Sequence, residues 1–317
     1  MRRILARRLL SIPATLLVVS MAIYGLTAVL PGNIGRTILG REASEETVAQ
    51  LNHELGLDRP LVRQYGSWLG NFLRGRWGTS YATKQAVRDV VMERLGRSLL
   101  LAGFAFALLV PISLGIGTAA AFRRGTRFDR VITMGSLSVS AIPEFVTGVV
   151  LLIVFGVNLP WFPTSATAPD GSNLIAQLHR LVLPASALLL AWAGYVGRIA
   201  RASTIETLDS HYVRTARIKG VSRSRLIRKH ILRNSLVPPT TVLGVSLGAF
   251  LGGLTVVESL FNYKGVGSLF LQASIDKDIP VLQALAAVIG LFSMLCVLAT
   301  DLVYALLDPR VRMGEAR

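Results

Sequence analysis

Runs of apolar residues long enough to cross a lipid bilayer are the feature that most constrains this chain. A helix needs about 20 mostly apolar residues to span the hydrocarbon core of a membrane. Six runs meet or approach this length, and the fourth needs apolar residues from its flanks to do so. They are Leu9–Leu30, Leu99–Phe122, Val131–Val157, Leu181–Val196, Val237–Val257 and Val281–Leu307. The pattern predicts an all-α polytopic membrane protein with six transmembrane helices.

The composition supports a membrane protein and argues against one that binds nucleic acid. Hydrophobic residues make up 52% of the chain and charged residues only 16%, with a net charge of +16. A soluble protein is less apolar and more charged than this. The arginines lie beside the apolar runs rather than in a separate basic domain, so they fit membrane-flanking loops and predict no nucleic acid partner.

The basic residues also predict the orientation of the spans. They cluster before the first run, at 123–130, in the segment 198–238 and in the tail 309–317. Short loops rich in Lys and Arg stay in the cytoplasm, which places both termini there. The predicted organisation is an N-terminus with the first span (1–30), a folded extracytoplasmic loop (31–97), a five-helix core (98–308) that contains the cytoplasmic loop 198–238, and a cytoplasmic tail (309–317).

The first run has a second interpretation. An Arg-rich start followed by apolar residues is also typical of a secretory signal peptide. Leu9–Leu30 is longer than the usual apolar core of such a peptide, and no clear small-x-small cleavage site follows it. We therefore expect a retained membrane anchor.

The loop 31–97 carries signals of folded structure. Ser44, followed by Glu45 and Glu46, predicts a helix start, because a serine oxygen caps free amides and acids suit the first turn. A second stretch, PLVRQYGSWLGNFLRG, is amphipathic and rich in aromatic residues. A folded extracytoplasmic cap and a pair of interfacial helices both fit this pattern.

Glu144 is an acid near the middle of the third predicted span. An ionisable group inside a membrane is a candidate functional residue. It directly follows Pro143, however, so it fits the start of a broken helix equally well. Pro111 and Pro184 also lie in or beside predicted spans, where proline can kink a helix. Pro143 and Glu144 are therefore predicted to mark either a translocation pathway or a helix break.

The chain offers few groups for metal, redox or nucleotide chemistry. Cys296 is its only cysteine, and its four histidines are scattered without a metal-binding spacing. It contains no G-x-x-x-x-G-K-[ST] loop, so it has no predicted site for ATP phosphates. We expect no catalytic residue, metal or cofactor on this chain.

A strongly basic segment, 204–239, lies between the fourth and fifth apolar runs. A helix is predicted over Asp209–Lys219, with Asp209 or Ser210 as its cap. Gly220 is predicted to end this helix, because glycine readily adopts the left-handed conformation that closes helix C-termini.

A second helix is predicted to follow the glycine. Ser222 would cap it, and Pro238 and Pro239 would mark the return to the membrane. A single stripe on this helix would comprise Leu226, Ile227, Ile231 and Leu232. A basic hairpin lying on anionic lipid would explain the charge, at about 1 kcal/mol for each cation. It would not explain a tight glycine turn between two capped helices, which favours a docking element.

The segment Tyr212–Thr241 resembles the cytoplasmic EAA loop of binding-protein-dependent ABC-transporter permeases, in particular the oligopeptide, dipeptide and nickel branch. Arg214, Thr215 and Ala216 occupy the positions of the Glu-Ala-Ala triad, and Gly220 occupies that of the glycine. Arginine in place of the glutamate departs from the general pattern but fits this branch. Three further stretches resemble the family in the same order along the chain. They are Gly56–Tyr81, Glu258–Gly267 and Asp301–Arg312.

The resemblance implies a permease subunit of an ABC importer in a prokaryotic inner or plasma membrane. It implies three kinds of partner besides the lipid bilayer: a second homologous permease, two cytoplasmic ATPase subunits or domains, and an extracytoplasmic substrate-binding protein. ATP and Mg would bind to the ATPases. A dipeptide or oligopeptide is the favoured solute, with nickel and other small solutes open. The residues implied in ATPase coupling are Tyr212, Arg214, Thr215, Ala216, Arg217, Lys219 and Gly220.

Two other classes of protein remain as alternatives. An ion-coupled secondary transporter needs paired intramembrane charges and usually internal repeats, whereas only Glu144 lies deep in a predicted span. A membrane-bound enzyme needs a cluster of His, Asp or Glu at one depth, which the sequence does not show.

Overall fold

The computed structural model describes residues 2–29, 34–40, 42–54, 56, 58–169 and 171–307. The regular elements of these residues are helices, and a single antiparallel bridge joins Thr79 to Ala86. The predicted tail 309–317 and the first residues of the predicted extracytoplasmic loop, 31–33, lie outside the described residues.

The helices follow the apolar runs and the amphipathic stretches of the sequence. They are α1 (Arg2–Val29), α2 (Ile34–Leu39), α3 (Glu45–Glu54), α4 (Leu61–Leu73), α5 (Val87–Phe122), α6 (Arg127–Ser140), α7 (Glu144–Leu151), α8 (Leu174–Asp209), α9 (His211–Ile218), α10 (Arg223–Arg225), α11 (Arg233–Ser235), α12 (Val237–Leu260), α13 (Val266–Ile275) and α14 (Ile279–Leu307). Two π-helical segments, Leu152–Asn158 and Leu226–Leu232, continue α7 and α10.

Several of these helices are long and apolar enough to cross a membrane. Among the described residues, α5, α8 and the Ile279–Thr300 part of α14 meet this test singly, and α6 with α7 and its π-helical extension meets it as a bent pair. The chain is therefore helical with three or four candidate spans by length and composition. The count of six stays a prediction.

The third predicted span is not one helix. Within the apolar run Val131–Val157, α6 ends at Ser140 and α7 begins at Glu144, with a bend of 102° between them, at the position considered above as a helix break. Pro143 precedes α7, and proline disfavours helical backbone in the residue before it. Pro111 and Pro184, by contrast, lie inside α5 and α8 without ending them.

The described residues form two compact units. The first comprises Ser98–Lys264 with the end of α14, and the second comprises Arg2–Arg97 with Gly265–Met294. In the second unit, Ser44 Oγ accepts a hydrogen bond from the Thr47 amide at 3.2 Å, which confirms the predicted helix cap. Its core packs valines of α5 against the start of α14, including Val87, Val91, Val281 and Leu285.

Helix α8 is the centre of the first unit. Its buried residues include Leu181, Leu188 and Val196, which join a core shared with α5 and α12. Glycines at the contacts allow the backbones of α5 and α6 to pack closely against that of α8. A Cβ atom on Gly117 of α5 would collide with the carbonyl oxygen of Gly197, and one on Gly194 would lie 2.5 Å from the Ser136 carbonyl of α6. Small residues allow such close packing between membrane helices.

This packing predicts that alanine substitutions at two nearby glycines of α5 differ in their effect on stability. Gly117→Ala should destabilise the protein by about 1–3 kcal/mol, because the new methyl group must push backbone apart. Gly115→Ala is the matched control, since its Cβ would meet nothing within 4 Å. Thermal unfolding in detergent should therefore show a lower midpoint for the Gly117 variant alone. Equal midpoints for the two variants would contradict the close contact of α5 with α8.

Candidate functional site: an exposed hairpin at the end of helix α8

The predicted hairpin is present and continues directly from α8. Helix α8 ends at Asp209, Ser210 adopts an extended conformation, and α9 begins at His211. The predicted side-chain cap is wrong. Ser210 Oγ donates instead to the Thr207 carbonyl at 2.6 Å, and the Asp209 carboxylate accepts from Arg124 at 2.9 Å. A single extended residue therefore separates the two helices.

Gly220 closes α9 as predicted. It has a φ of +73°, in the left-handed region that favours glycine. The Gly220 amide donates to the Arg217 carbonyl at 3.1 Å, and the Val221 amide donates to the Ala216 carbonyl at 3.2 Å. These two bonds form a Schellman motif, which satisfies carbonyls at the helix end and turns the chain back sharply.

The second arm departs from the predicted α-helix. Ser222 precedes it but makes no side-chain cap bond, and the arm consists of α10, a π-helical segment and α11. Leu226 and Ile231 are both buried, although residues five apart lie about 140° apart around an α-helix. The i→i+5 bonding of a π-helix brings such residues onto one side. Leu232, predicted to share their stripe, is outside the buried cluster.

The two arms enclose a small core of their own. Val213 of α9 packs with Leu226 and Ile231, and Ala216 and Val221 lie against them. Ser203 Oγ of α8 donates to the Ser235 carbonyl at 2.6 Å. This bond links α8 to the end of the second arm. The hairpin is thus a packed unit rather than an extended loop.

Helix α9 presents one face to this core and the opposite face outward. At about 100° per residue, Val213 and Ala216 share the inner side, while Arg214, Thr215 and Ile218 share the outer side. Ile218 is 81% exposed and lies at the centre of the outer face. Sequence reasoning missed it, because an isoleucine in a helical pattern is usually a core residue.

The residues proposed for coupling divide between the two faces. Ala216 is partly buried against the hairpin core, and the other six are exposed. Thr215 Oγ1 donates to the His211 carbonyl at 3.0 Å, and Tyr212 Oη accepts from Asn234 Nδ2 of the second arm at 3.0 Å. The exposed set comprises Tyr212, Arg214, Thr215, Arg217, Lys219 and Gly220.

The charge of the hairpin is entirely positive. Residues 211–235 contain eight Lys or Arg and no Asp or Glu. Cations at this density favour contact with an acidic partner surface. Within the residues that the structure describes, no group of three His, Cys, Asp or Glu could hold a metal ion.

Two ion pairs fix the last turns of α8, from which the hairpin continues, to the start of α6 and to the connection before it. Arg201 of α8 binds Asp129 in a bidentate pair, with Nε–Oδ1 at 2.5 Å and Nη2–Oδ2 at 2.8 Å. The Gly125 amide also donates to Asp129 Oδ2, at 3.0 Å. Asp129 is 4% exposed, whereas Arg124 and Asp209 of the second pair are largely exposed. Sequence reasoning missed both pairs, because their members lie far apart along the chain.

The chain has apolar helices of span length, and one of them continues into an exposed, internally packed basic hairpin. Both features are typical of a membrane protein that docks a partner. The model of the family described as binding-protein-dependent transport system inner membrane component matches residues 112–313. The model of the N-terminal part of such membrane components matches residues 1–102. The chain belongs to this family. Its members are the membrane components of their transport systems, and ATP hydrolysis takes place on separate subunits.

Relatives of known name cover nearly the whole chain. A permease protein of a peptide transport system from Brucella abortus (strain 2308) is 36% identical over 313 residues, 98% of this chain and 99% of the relative. The oligopeptide transport system permease protein AppB of Bacillus subtilis (strain 168) is 35% identical, with coverage of 97% and 98%. The glutathione transport system permease protein GsiC of Pectobacterium atrosepticum is 35% identical, with coverage of 96% and 97%.

The buried ion pair predicts which arginine fixes the hairpin. Arg201→Gln leaves Asp129 buried without its bidentate partner, which should cost about 3 kcal/mol. Hydrogen exchange measured by mass spectrometry should become faster across residues 202–236. The exposed pair provides the control, because Arg124→Gln should cost less than about 1 kcal/mol. Unchanged exchange in the Arg201 variant would show that the pair does not hold the hairpin.

Proposed function

We propose that the chain forms half of the translocation pathway of an ABC importer for peptides or a related small solute. ATP hydrolysis on partner subunits drives it. The observation that carries the proposal is the exposed outer face of α9, on a packed hairpin that continues from the central helix α8. The names of the relatives favour peptides as the solute: a peptide system, an oligopeptide system and a glutathione system.

The proposed assembly contains a second homologous permease, two cytoplasmic ATPase subunits or domains and an extracytoplasmic substrate-binding protein. The chain lies in the inner or plasma membrane of a prokaryote, with both termini and the hairpin in the cytoplasm. Its six spans are α1, α5, the bent pair α6 and α7, α8, α12 and α14. The basic clusters beside the apolar runs support this orientation.

The proposed mechanism is mechanical and involves no bond chemistry on this chain. ATP binding closes the ATPase dimer, and each ATPase holds the hairpin of one permease through the outer face of α9. Only Ser210 separates α9 from α8, and the Ser203–Ser235 contact limits independent movement of the hairpin. The Arg201–Asp129 pair links α8 in turn to α6. Displacement of α9 therefore moves α8, and with it the portions of α5 and α6 that touch it. The pathway then switches between inward-facing and outward-facing states.

We also propose that Glu144 marks the translocation pathway. Its carboxylate lies where a side chain on Gly253 would be, since a Cβ there would be 2.6 Å from Glu144 Oε2. The missing side chain of Gly253 thus leaves space for the acid beside α12. Pro143 supplies the break that sets Glu144 at the start of α7.

Ile218 tests whether the outer face of α9 binds the ATPase. Ile218→Asp places a charge at the centre of the proposed contact, and we expect at least about a tenfold loss of ATPase subunit copurified with the permease. Ile218→Met keeps an apolar side chain of similar size and should retain the ATPase. The side chain makes no contribution to the hairpin core, so both variants should insert normally. Equal recovery of ATPase with both variants would exclude this face as the docking surface.

Gly220 tests whether the shape of the turn matters for coupling. Gly220→Val forces a β-branched residue into the left-handed region and should abolish substrate-stimulated ATPase activity of the reconstituted complex, while the complex still inserts. Gly220→Asn is the control, because asparagine visits this region more readily and should retain most of the stimulation. Normal stimulation in the valine variant would disprove the coupling role of the turn.

A further inference from the structure

The second unit contains a cavity of about 270 Å³ that the coupling mechanism does not use. Residues of α1, α4, the segment after α4 and the start of α14 line it. In the proposed topology this cavity lies on the extracytoplasmic side. We propose that it binds the terminal carboxylate of a peptide, together with part of the residue that carries it; this inference rests on the proposed peptide transport.

Three arginines give the cavity its charge. Arg59, Arg63 and Arg76 line it, and no Asp or Glu is among its lining residues. Within the described part of the chain, no carboxylate forms an ion pair with any of the three. A guanidinium group has a planar fork of N–H donors that matches the two oxygens of a carboxylate. An anionic ligand would therefore find donors that the protein itself does not neutralise.

A glycine shapes the position of one of these arginines. Gly56 also lines the cavity and has a φ of +69°. A Cβ atom on it would lie 3.3 Å from Arg59 Nε and 3.5 Å from Arg59 Cδ. The Arg59 side chain thus lies over the glycine, and a side chain at position 56 would push it from this place beside the cavity.

The other side of the cavity is aromatic. Trp68 and Trp77 line it, and both stack on Phe72, with ring centroids 5.4 and 4.7 Å apart. Trp77 Nε1 donates to the Phe72 carbonyl at 3.1 Å, which fixes the indole. A flat apolar wall beside arginines suits a ligand that has a carboxylate and an apolar group next to each other.

Hydrogen bonds hold the polar lining in place before any ligand binds. Tyr24 Oη donates to Gln64 Oε1 at 3.2 Å, and Gln64 Nε2 donates to the Arg59 carbonyl at 2.8 Å. Gln283, which is 7% exposed, donates to Thr27 Oγ1 at 2.9 Å. A lining that is already ordered reduces the entropy lost on binding.

Tyr81 adds a neutral donor to the same cavity. Burial, with a smaller contribution from the negative charge of Asp278, raises the pKa of Tyr81 to about 12. The phenol therefore stays protonated at neutral pH and can donate a hydrogen bond to an anion. Asp278 itself accepts hydrogen bonds from Ser80 Oγ and from the Tyr81 and Ala82 amides, the latter two at 3.2 Å. The Asp278 carboxylate is therefore already hydrogen-bonded to residues 80–82.

The size of the cavity indicates how much of a peptide it holds. Its 270 Å³ lies just below the range of about 300–1,000 Å³ typical of small-molecule sites, so it suits one terminal residue rather than a whole peptide. Every linear peptide with a free C-terminus ends in a carboxylate whatever its sequence. A site that recognises this group accepts peptides of many sequences, which fits a transport system for mixed peptides.

The test compares a peptide with a counterpart whose C-terminus carries no charge. The probes are alanyl-phenylalanine and its C-terminal amide, titrated calorimetrically into the permease–ATPase complex without binding protein, in phosphatidylcholine nanodiscs. We expect the free acid to bind at least about tenfold more tightly than the amide, as charge-assisted hydrogen bonds to arginine require. The double variant Arg63→Gln/Arg76→Gln should lose this preference. Arg74→Gln is the control, since Arg74 is exposed in the same segment but does not line the cavity.

Three results would overturn the inference. The first is equal binding of the free acid and the amide to the unmodified complex. The second is a loss of preference in the Arg74 variant equal to that in the double variant. The third is displacement of the peptide by phosphatidylglycerol in the nanodisc, which would identify a lipid phosphate as the occupant. The first comparison needs no variant, so it stands even if the double variant fails to fold.

ATP-dependent uptake of alanyl-phenylalanine by the complete system in proteoliposomes separates this inference from the proposed function. If the complete system takes up the peptide but the permease does not bind the free acid more tightly than the amide, the cavity site is refuted and peptide transport is not. Absence of peptide uptake, with import of another solute, would refute the proposed substrate itself.

Discussion

Close approach of helix backbones around α8 is the constraint on which the first unit depends. Lipid tails are as apolar as leucine side chains, so membrane helices gain little from hydrophobic burial against one another. They associate through dispersion contacts, which require surfaces that fit. Gly117 and Gly194 provide such surfaces, because each lets another backbone occupy the place of a side chain. Helix α8 is therefore the common neighbour of α5 and α6, and it carries the hairpin at its end.

The polar contacts at the base of the hairpin complement this packing. Arg201 of α8 and Asp129 of α6 form a buried pair that joins these two helices. The Ser203–Ser235 hydrogen bond joins α8 to the second arm of the hairpin, in addition to the connection through Ser210. The hairpin adds its own core around Val213. A force on the outer face of α9 consequently acts on a stiff body, and the connection through Ser210 is short. These properties suit the mechanical link that we propose between the ATPase and the membrane pathway.

The sequence predicted the parts of this structure that depend on local chemistry. Gly220 and Ser44 have roles that follow from one residue and its near neighbours, and both were predicted correctly. The resemblance to permeases was supported by several motifs and is confirmed by the family match. Contacts between distant residues were not predictable. Arg201 and Asp129 are 72 residues apart, and no local pattern couples them. Pro143 indicated a break in the sequence, but no local pattern indicated its angle of 102°.

The π-helical segment Leu226–Leu232 has a consequence for the length of the hairpin. A π turn contains one more residue than an α turn, and it places Leu226 and Ile231 on the same side. Removal of one residue between them would leave an ordinary α-helix with the same two side chains four apart and still facing Val213. Addition of one would turn Ile231 away from the core. The packing of this arm therefore accommodates the loss of one residue between Leu226 and Ile231 better than the gain of one.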